Sequence, residues 1–519
     1  MKHIINIILA AGMTLAATAC SDDDVVGVPD AGMQATTGYF SSGESYKADI
    51  YYKPYVGYVG DPMPFFDPQS RTFRILYLQD MRDGNSVVYH PIHQLETADA
   101  ASYTGGEEAI ACGGAAEDDP AIGTGSTVFA GGKYYTFYTG HKAASPREVI
   151  LRATSDDCRH WTKDRAFRME APEGYNRDEF RDPYVFFDDE AGVYRMVVAT
   201  LLNGRSVLAQ FTSEDLAHWT ETEPFFFNKW GRFYECPDIF RMGDWWYLVY
   251  SDKDITRQVQ YFYARTLREL MTMGDDPQFP WRDEGKLEGT SFYAGKTASD
   301  GTNRYIWGWC ATRQGNLPEG TADWAGSLVV HKLVQNADGT LGLACPDGVM
   351  ERIGRQGAVV ETDRKGEPEG AATNGYTFSA GDEVRFARLG YRNCIEFDVE
   401  VADPHTAVFG IALADCSDRD YSYRIYIEDR WNNLKFDRRS LDSDGNELRR
   451  NINVFGFISP DDGRYHVTMT VDQSVCVVYV NGQYAFTNRV YGMQRNPWSL
   501  FCSDGSVKIS NVKLFDSTR

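Results

Sequence analysis

Three carboxylates set the chemical question. Asp61 stands in "GDP", Asp182 in "FRDP" and Glu235 in "FYECPDIF", each within two residues of a proline and inside or next to an aromatic, strand-like run. Glycoside cleavage needs two carboxyl groups across the scissile bond, one protonated to release the leaving oxygen and one ionised to attack or to activate water. Burial and clustered like charges can separate the pKa values of such groups. Phe233, Tyr234 and Pro237 make the surroundings of Glu235 apolar and favour it as proton donor. Asp61, short and held between Gly60 and Pro62, suits a nucleophile. Asp182 lies beside Arg181, whose guanidinium would hold it ionised and ready to fix sugar hydroxyls. Any one of these short strings also fits a turn, a salt bridge or an edge strand, so their weight depends on whether the fold brings them together.

A repeat supplies that convergence. "RATSDDCRHW" (152–161) and "QFTSEDLAHW" (210–219) share the pattern T-S-x-D-x-x-H-W, with eroded copies at "LETADAASY" and "YARTLREL". The period is roughly 55 residues, with several short strands in each unit, which is the signature of propeller blades. Asp61, Gly125 in "GTGS", Asp182, Glu235 and Tyr293 in "SFYAGK" recur with about the same spacing. They are read as equivalent positions on five inner strands facing one axis. The repeated Trp161 and Trp219 are read as blade packing. Strand-like runs dominate elsewhere, among them "RTFRILYLQD", "WWYLVYS" and "RYIWGWC".

The expected architecture is all-β: a five-bladed β-propeller over 39–340, a charged Gly/Pro-rich linker over 341–375, and a β-sandwich over 376–519 built from alternating strands such as "CIEFDVEV" and "VCVVYVNG". Residues 1–20 read as an export signal: Lys2, an apolar run from Ile4 to Leu15 too short for an ordinary span, then "LAATAC". This end resembles a bacterial lipoprotein box, with Cys20 as the lipidated residue and 21–38 as a flexible tether. The following "SDDD" resembles the surface-export signal of Bacteroidetes lipoproteins. The implied location is the outer membrane or cell surface, with plain secretion as the alternative and the lipid anchor as the sole tie to the membrane.

The chain of 519 residues carries 74 acidic and 52 basic side chains, a net charge of −22, which disfavours nucleic acid and anionic membrane surfaces as partners. Its aromatic content of 14% is compatible with carbohydrate binding. The nine cysteines after Cys20 show neither a CxxC pair nor metal spacing and are read as mostly buried, unpaired small hydrophobes. No metal and no cofactor is expected.

Taken together, "FRDPYVFF", "YECPDIF", "SFYAGKTASDGTNRYIWGWCATR", "ADWAGSLVVHKL" and "VDQSVCVVYVNGQYAFTNRVY" resemble the motifs of glycoside hydrolase family 32, the invertase, inulinase and levanase group. The resemblance runs from about residue 50 to the end. It implies Asp61 as nucleophile, Glu235 as acid/base and Asp182 as transition-state stabiliser, in a retaining mechanism on β-fructosides. It further implies that Arg181 orients hydroxyls and that Gln79, Ser126 and Tyr293 contact substrate. One departure stands out. The family's first motif is usually W-M-N-D-P-N-G, and here it is "YVGDPMPF": the nucleophile is kept, while Gly60 replaces a sugar-contacting Asn. Two other readings fit the residues: an inverting five-bladed glycosidase acting on arabinosides, and a non-catalytic surface protein that binds glycans.

Overall fold

The computed structural model describes residues 48–516 apart from 83–89, 228–231, 254, 276–284, 414–420, 442–443, 445 and 492–495. The expected signal peptide, Cys20 and the tether lie outside the described residues. No helix among the described residues is long and apolar enough to cross a membrane. The eight described cysteines are free, six of them buried.

Five four-stranded antiparallel units follow one another along the chain: blade I (58–110), blade II (121–169), blade III (175–227), blade IV (234–286) and blade V (293–344). Their first strands are Tyr58–Asp67, Ala121–Ala130, Tyr175–Asp188, Tyr234–Met242 and Tyr293–Ser299. Each packs against the first strand of the next blade, and that of blade V returns to blade I, so five inner strands ring one axis. A pairing of Val59 with Gly326 also stitches blades I and V into one sheet. The second strands are buried almost throughout, as in Thr72–Asp80, because neighbouring blades cover both faces. This is why "RTFRILYLQD" reads as a continuous apolar run rather than an alternating one. The outer strand Thr104–Ile110 is largely exposed and correspondingly polar.

The T-S-x-D-x-x-H-W repeat builds the turn between third and fourth strands in blades II and III. Asp157 and Asp215 accept the backbone N–H of His160 and His218, each at 2.8 Å. The tryptophans then enter the seam with the preceding blade: Trp161 Nε1–H donates to Gln94 at 2.9 Å, and Trp219 sets its edge on Phe137 at 5.6 Å. Their role is blade packing, as the sequence suggests.

Two sheets form the C-terminal sandwich. One centres on Arg392–Val401, flanked by Ser506–Asp516 and Arg464–Asp472; the other runs from Glu361–Lys365 to the edge strand Glu447–Gly456. Phe386, Phe397, Phe409 and Trp498 fill the space between them.

The expected boundaries need correction. Residues 341–375 are not a linker: Leu341–Ala344 is the last strand of blade V, Asp347–Ile353 is a helix, and Glu361–Lys365 is an edge strand of the sandwich. Its charged, Gly-rich texture is that of an exposed sheet edge, where charge discourages further pairing. At the other end, the segment from residue 48 is no blade strand but bridges propeller and sandwich: the Tyr52 carbonyl accepts the Leu328 N–H of blade V at 2.8 Å. The N–H of Ile50 donates to Asp472 at 2.8 Å, and the Tyr51 hydroxyl meets Thr470.

The two domains share one core. Tyr479 and Val477 of the sandwich pack into the same apolar cluster as Trp307 and Val329 of blade V. Arg489, 1% exposed, crosses this interface and donates to the carbonyls of Cys310 (2.8 Å) and Ala311 (3.0 Å) and to Ser327 Oγ (2.9 Å). Truncating it strands buried acceptors and opens a cavity. Arg489→Ala is expected to cost about 2–5 kcal/mol, read as a lower midpoint in urea unfolding.

Candidate active site

A local irregularity repeated five times builds the site. In every inner strand the pairing with the second strand slips: between Gly60 and Met63, Gly123 and Gly125, Arg181 and Tyr184, Glu235 and Asp238, and Tyr293 and Lys296. These are β-bulges. Asp61, Asp182, Cys236 and Ala294 accordingly take positive φ, at 34°, 59°, 52° and 53°. The prolines of "GDP", "RDP" and "ECP" occupy these slips, where a missing N–H costs no ladder bond.

A bulge also lets consecutive side chains face the same side of a strand. Arg181 and Asp182 both line one cavity, as do Glu235 and Cys236. The five recurring positions are therefore not strictly equivalent. Asp61 and Asp182 sit within the slip at the positive-φ residue, Glu235 and Tyr293 one residue before theirs, and Gly125 closes the slip of blade II, where no residue takes positive φ. Sequence spacing alone does not resolve a one-residue offset.

The cavity has a volume of about 480 Å³ and gathers Asp61, Asp182, Glu235, Arg181 and Tyr293. Asp61 is half-buried. Its Oδ1 accepts the Trp309 indole N–H at 2.9 Å and its Oδ2 the Thr124 hydroxyl at 2.8 Å. Burial pushes its pKa up, and these two donors oppose that shift. Asp182 is buried, with Oδ2 accepting the Cys236 N–H at 2.8 Å. Burial again raises its pKa, against the pull of Arg181, that N–H and Lys296.

Glu235 lies between Arg181, whose Nη2 is 3.0 Å from Oε1, and Tyr293, whose hydroxyl donates to Oε2 at 2.7 Å. Burial raises its pKa; Arg181 opposes this and Asp182 reinforces it. Arg181 stays cationic. It loses hydration on burial, yet carboxylates surround it: Glu148 at 3.1 Å, Glu235, the adjacent Asp182 and a short contact from Glu179. Its guanidinium also lies 4.3 Å over the Phe233 ring.

Two expected substrate contacts lie elsewhere. The Gln79 amide N–H donates to the Val56 carbonyl at 2.7 Å, and Gln79 is not among the cavity-lining residues. Ser126 donates to the Pro183 carbonyl and accepts the Val185 N–H, both at 2.9 Å, tying blade II to blade III directly behind Asp182. Both side chains brace backbone in this structure. Thr124, Trp309, Glu148 and Trp324 belong to the site without having been assigned a role. Trp309 and Trp324 lie in the strings "WGWC" and "ADWAG" already singled out, and Thr124 is next to Gly125. For Glu148 the sequence carries no signal, because its importance comes from pairing with Arg181 across blades.

The ionised Asp182 is a stability burden. Its folded pKa is raised, so its contribution to stability is full below the unfolded pKa and is lost as pH rises through the folded value. Asp182→Asn removes that loss, and Arg181 keeps three other carboxylates. The variant is expected to melt at higher temperature than the parent at pH 7, with the gain shrinking toward pH 4, and to lose activity. Calorimetric scans at the two pH values check it.

Fold and site together define a propeller glycosidase architecture: a hub cavity with an arginine set among acidic side chains, and a sandwich fused to the last blade. The chain matches the glycosyl hydrolases family 32 N-terminal domain over residues 53–343, and the C-terminal domain described as GH32, BT1760-like, over 339–514. It belongs to glycosyl hydrolase family 32. Fructan 1-exohydrolase w1 of Triticum aestivum is 24% identical over 324 residues, covering 56% of this chain and 53% of that protein. Sucrose-6-phosphate hydrolase of Escherichia coli is 28% identical over 235 residues, covering 42% and 48%. The chain thus spans about half the length of these curated relatives. Among solved structures, fructan 1-exohydrolase IIa of Cichorium intybus superposes with a TM-score of 0.69 at 16% identity, covering 91% of this chain and 98% of that one. Exo-inulinase of Aspergillus awamori gives 0.67 at 17%, covering 92% and 100%. These two likenesses establish the shared propeller-plus-sandwich fold.

Proposed function

We propose that the chain is a glycoside hydrolase that cleaves β-fructosidic bonds in fructans or fructo-oligosaccharides, such as levan or inulin, by a retaining double displacement. The observation that carries this reading is the meeting of Asp61, Asp182 and Glu235 in one sugar-sized cavity, each carboxyl with its own orienting donors. Asp61 attacks the anomeric carbon, the bond to the leaving oxygen breaks, and Glu235 gives that oxygen its proton. Water then attacks the same carbon, Glu235 takes a proton from it, and the bond to Asp61 breaks. Asp182, held by the Cys236 N–H, accepts hydrogen bonds from sugar hydroxyls, and Arg181 holds Glu235 in place. The relatives named above are described as acting on fructans or sucrose phosphate, which supports the sugar class.

The test is a screen of the purified protein against levan, inulin, sucrose and an aryl arabinoside, with the first-formed anomer followed by NMR. Fructose released with retained configuration is expected. Arabinoside cleavage with inversion would overturn the reading. Lipid attachment at Cys20 and display at the outer membrane complete the proposal and fit a polysaccharide substrate outside the cell. Incorporation of labelled palmitate, abolished in Cys20→Ala, is expected.

A further inference from the structure

Lys296 is a cation that the displacement steps leave unused. It stands on the first strand of blade V, where the slip after Tyr293 closes, and it is 2% exposed. It is not among the residues lining the cavity, so it does not meet a sugar there. Its Nζ donates to the Gly125 carbonyl of blade II at 2.7 Å and stands 5.6 Å from the Tyr184 ring centroid of blade III. An ammonium that reaches from blade V to both of those inner strands lies at the hub, behind the cavity lining.

A charge in such a place needs a reason. A buried ammonium is costly unless anions compensate it, and one carbonyl answers only one of its three donors. No carboxylate among the described residues is in ion-pair contact with it. The anions it can serve are those of the hub, because a charge acts beyond contact distance where water is excluded. Asp182 is buried, two residues before Tyr184, and Lys296 is one of the groups that favour its ionised form. Arg181, the other cation there, is already divided among Glu148, Glu235, Asp182 and Glu179. The remaining neighbours of Asp182 add no cation. Blade I presents Asp61, and blade IV presents Glu235 and the Cys236 thiol. Blade II presents the Thr139 hydroxyl, which accepts the Asp182 N–H at 2.9 Å, and Glu148, paired with Arg181 and His141.

We propose that Lys296 is a positioning residue: its buried ammonium is the counter-charge that keeps Asp182 an anion able to accept sugar hydroxyls. The sugar in this statement rests on the fructosidase reading; the pairing of charges does not. A mechanical role is the rival. Met63 Sδ of blade I accepts the Gly125 N–H at 3.1 Å while Lys296 holds the Gly125 carbonyl, so the lysine could serve only to pin this bulge.

The experiment separates charge from strut with Lys296→Met, close in shape and uncharged, Asp182→Asn, the double variant, and Met63→Leu. Melting temperatures at pH 7 form a cycle. Lys296→Met leaves Asp182 a less compensated anion, so Asp182→Asn is expected to raise the melting temperature more in that background than in the parent. On a fructo-oligosaccharide, Lys296→Met is expected to lose roughly tenfold or more in kcat/KM at the parent's optimum. Its acid limb should move to higher pH, since losing the cation favours the protonated Asp182, while the alkaline limb stays. Met63→Leu releases Gly125 without changing charge; it should lower the melting temperature and leave the acid limb in place. Additive melting shifts would overturn the proposal. In an active enzyme, so would an unmoved acid limb in Lys296→Met, or one that moves equally in Met63→Leu. Should Lys296→Met not fold, the added Asp182→Asn is expected to restore folding; if the double variant does not fold either, the lysine is a strut and the proposal falls. A protein that cleaves no fructoside yet keeps the coupling sinks the hydrolytic reading and leaves the pairing of Lys296 with Asp182 standing.

Discussion

Asp61→Asn is expected to reduce turnover of every fructoside by on the order of 10⁵-fold while leaving substrate binding largely intact. The change is close to isosteric, but an amide is a poor nucleophile. It also places an NH2 where either Trp309 or Thr124 now donates. The effect separates an enzyme from a glycan-binding protein that uses the same cavity, since the latter has no turnover to lose. Removing the side chain altogether, in Asp61→Ala, sharpens the test. Azide can then enter from the vacated side, attack the anomeric carbon and expel the leaving group. The product is a fructosyl azide of inverted configuration, formed in a single displacement. Rescue of that kind on an activated aryl fructoside identifies Asp61 as the attacking group. A variant that keeps more than about a hundredth of parental activity without azide would place the nucleophile elsewhere.

The ring of blades was legible because its period is written in turns: an Asp that caps its own turn and a Trp that fills the seam recur together, and both requirements are local. The convergence of the three acids was legible for the same reason, each within two residues of a proline that tolerates a bulge. What stayed hidden depends on contacts between blades. Ser126 has the type and neighbourhood of a sugar ligand, yet the bulge behind it turns its hydroxyl toward Pro183 and Val185. Gln79 is drawn away by the Val56 carbonyl. The meaning of Gly60 was open in the sequence, where it reads as a missing Asn. In the fold, the Trp324 ring of blade V, some 260 positions later in the chain, lies where a side chain at position 60 would project, with Cη2 2.3 Å from an added Cβ, so the glycine leaves room for that ring. The mistaken linker at 341–375 has the converse cause: exposed edge strands and true linkers draw on the same charged, Gly-rich vocabulary.

Glu235→Gln is expected to slow natural fructosides by about 10²–10⁴-fold, and an aryl fructoside with an acidic leaving group far less in its first step. A poor leaving oxygen needs the proton that Gln cannot give; a phenolate leaves without it. Equal losses on both substrates would show that residue 235 only shapes the cavity. The pH profile gives an independent reading. Activity requires Asp61 ionised and Glu235 protonated. Burial raises both, so the acid limb should lie above the ordinary aspartate range and the alkaline limb above the ordinary glutamate range. Activity therefore falls as pH rises through the Glu235 value, and in Glu235→Gln that alkaline limb should vanish. Tyr293 supplies the control: its hydroxyl donates to Oε2 and favours the ionised carboxylate. Tyr293→Phe removes that donor, so the alkaline limb should move to higher pH while the acid limb stays in place. A shift in the opposite direction would mean that the limb belongs to some group other than Glu235, and the proton donor would have to be sought among the remaining acids of the cavity.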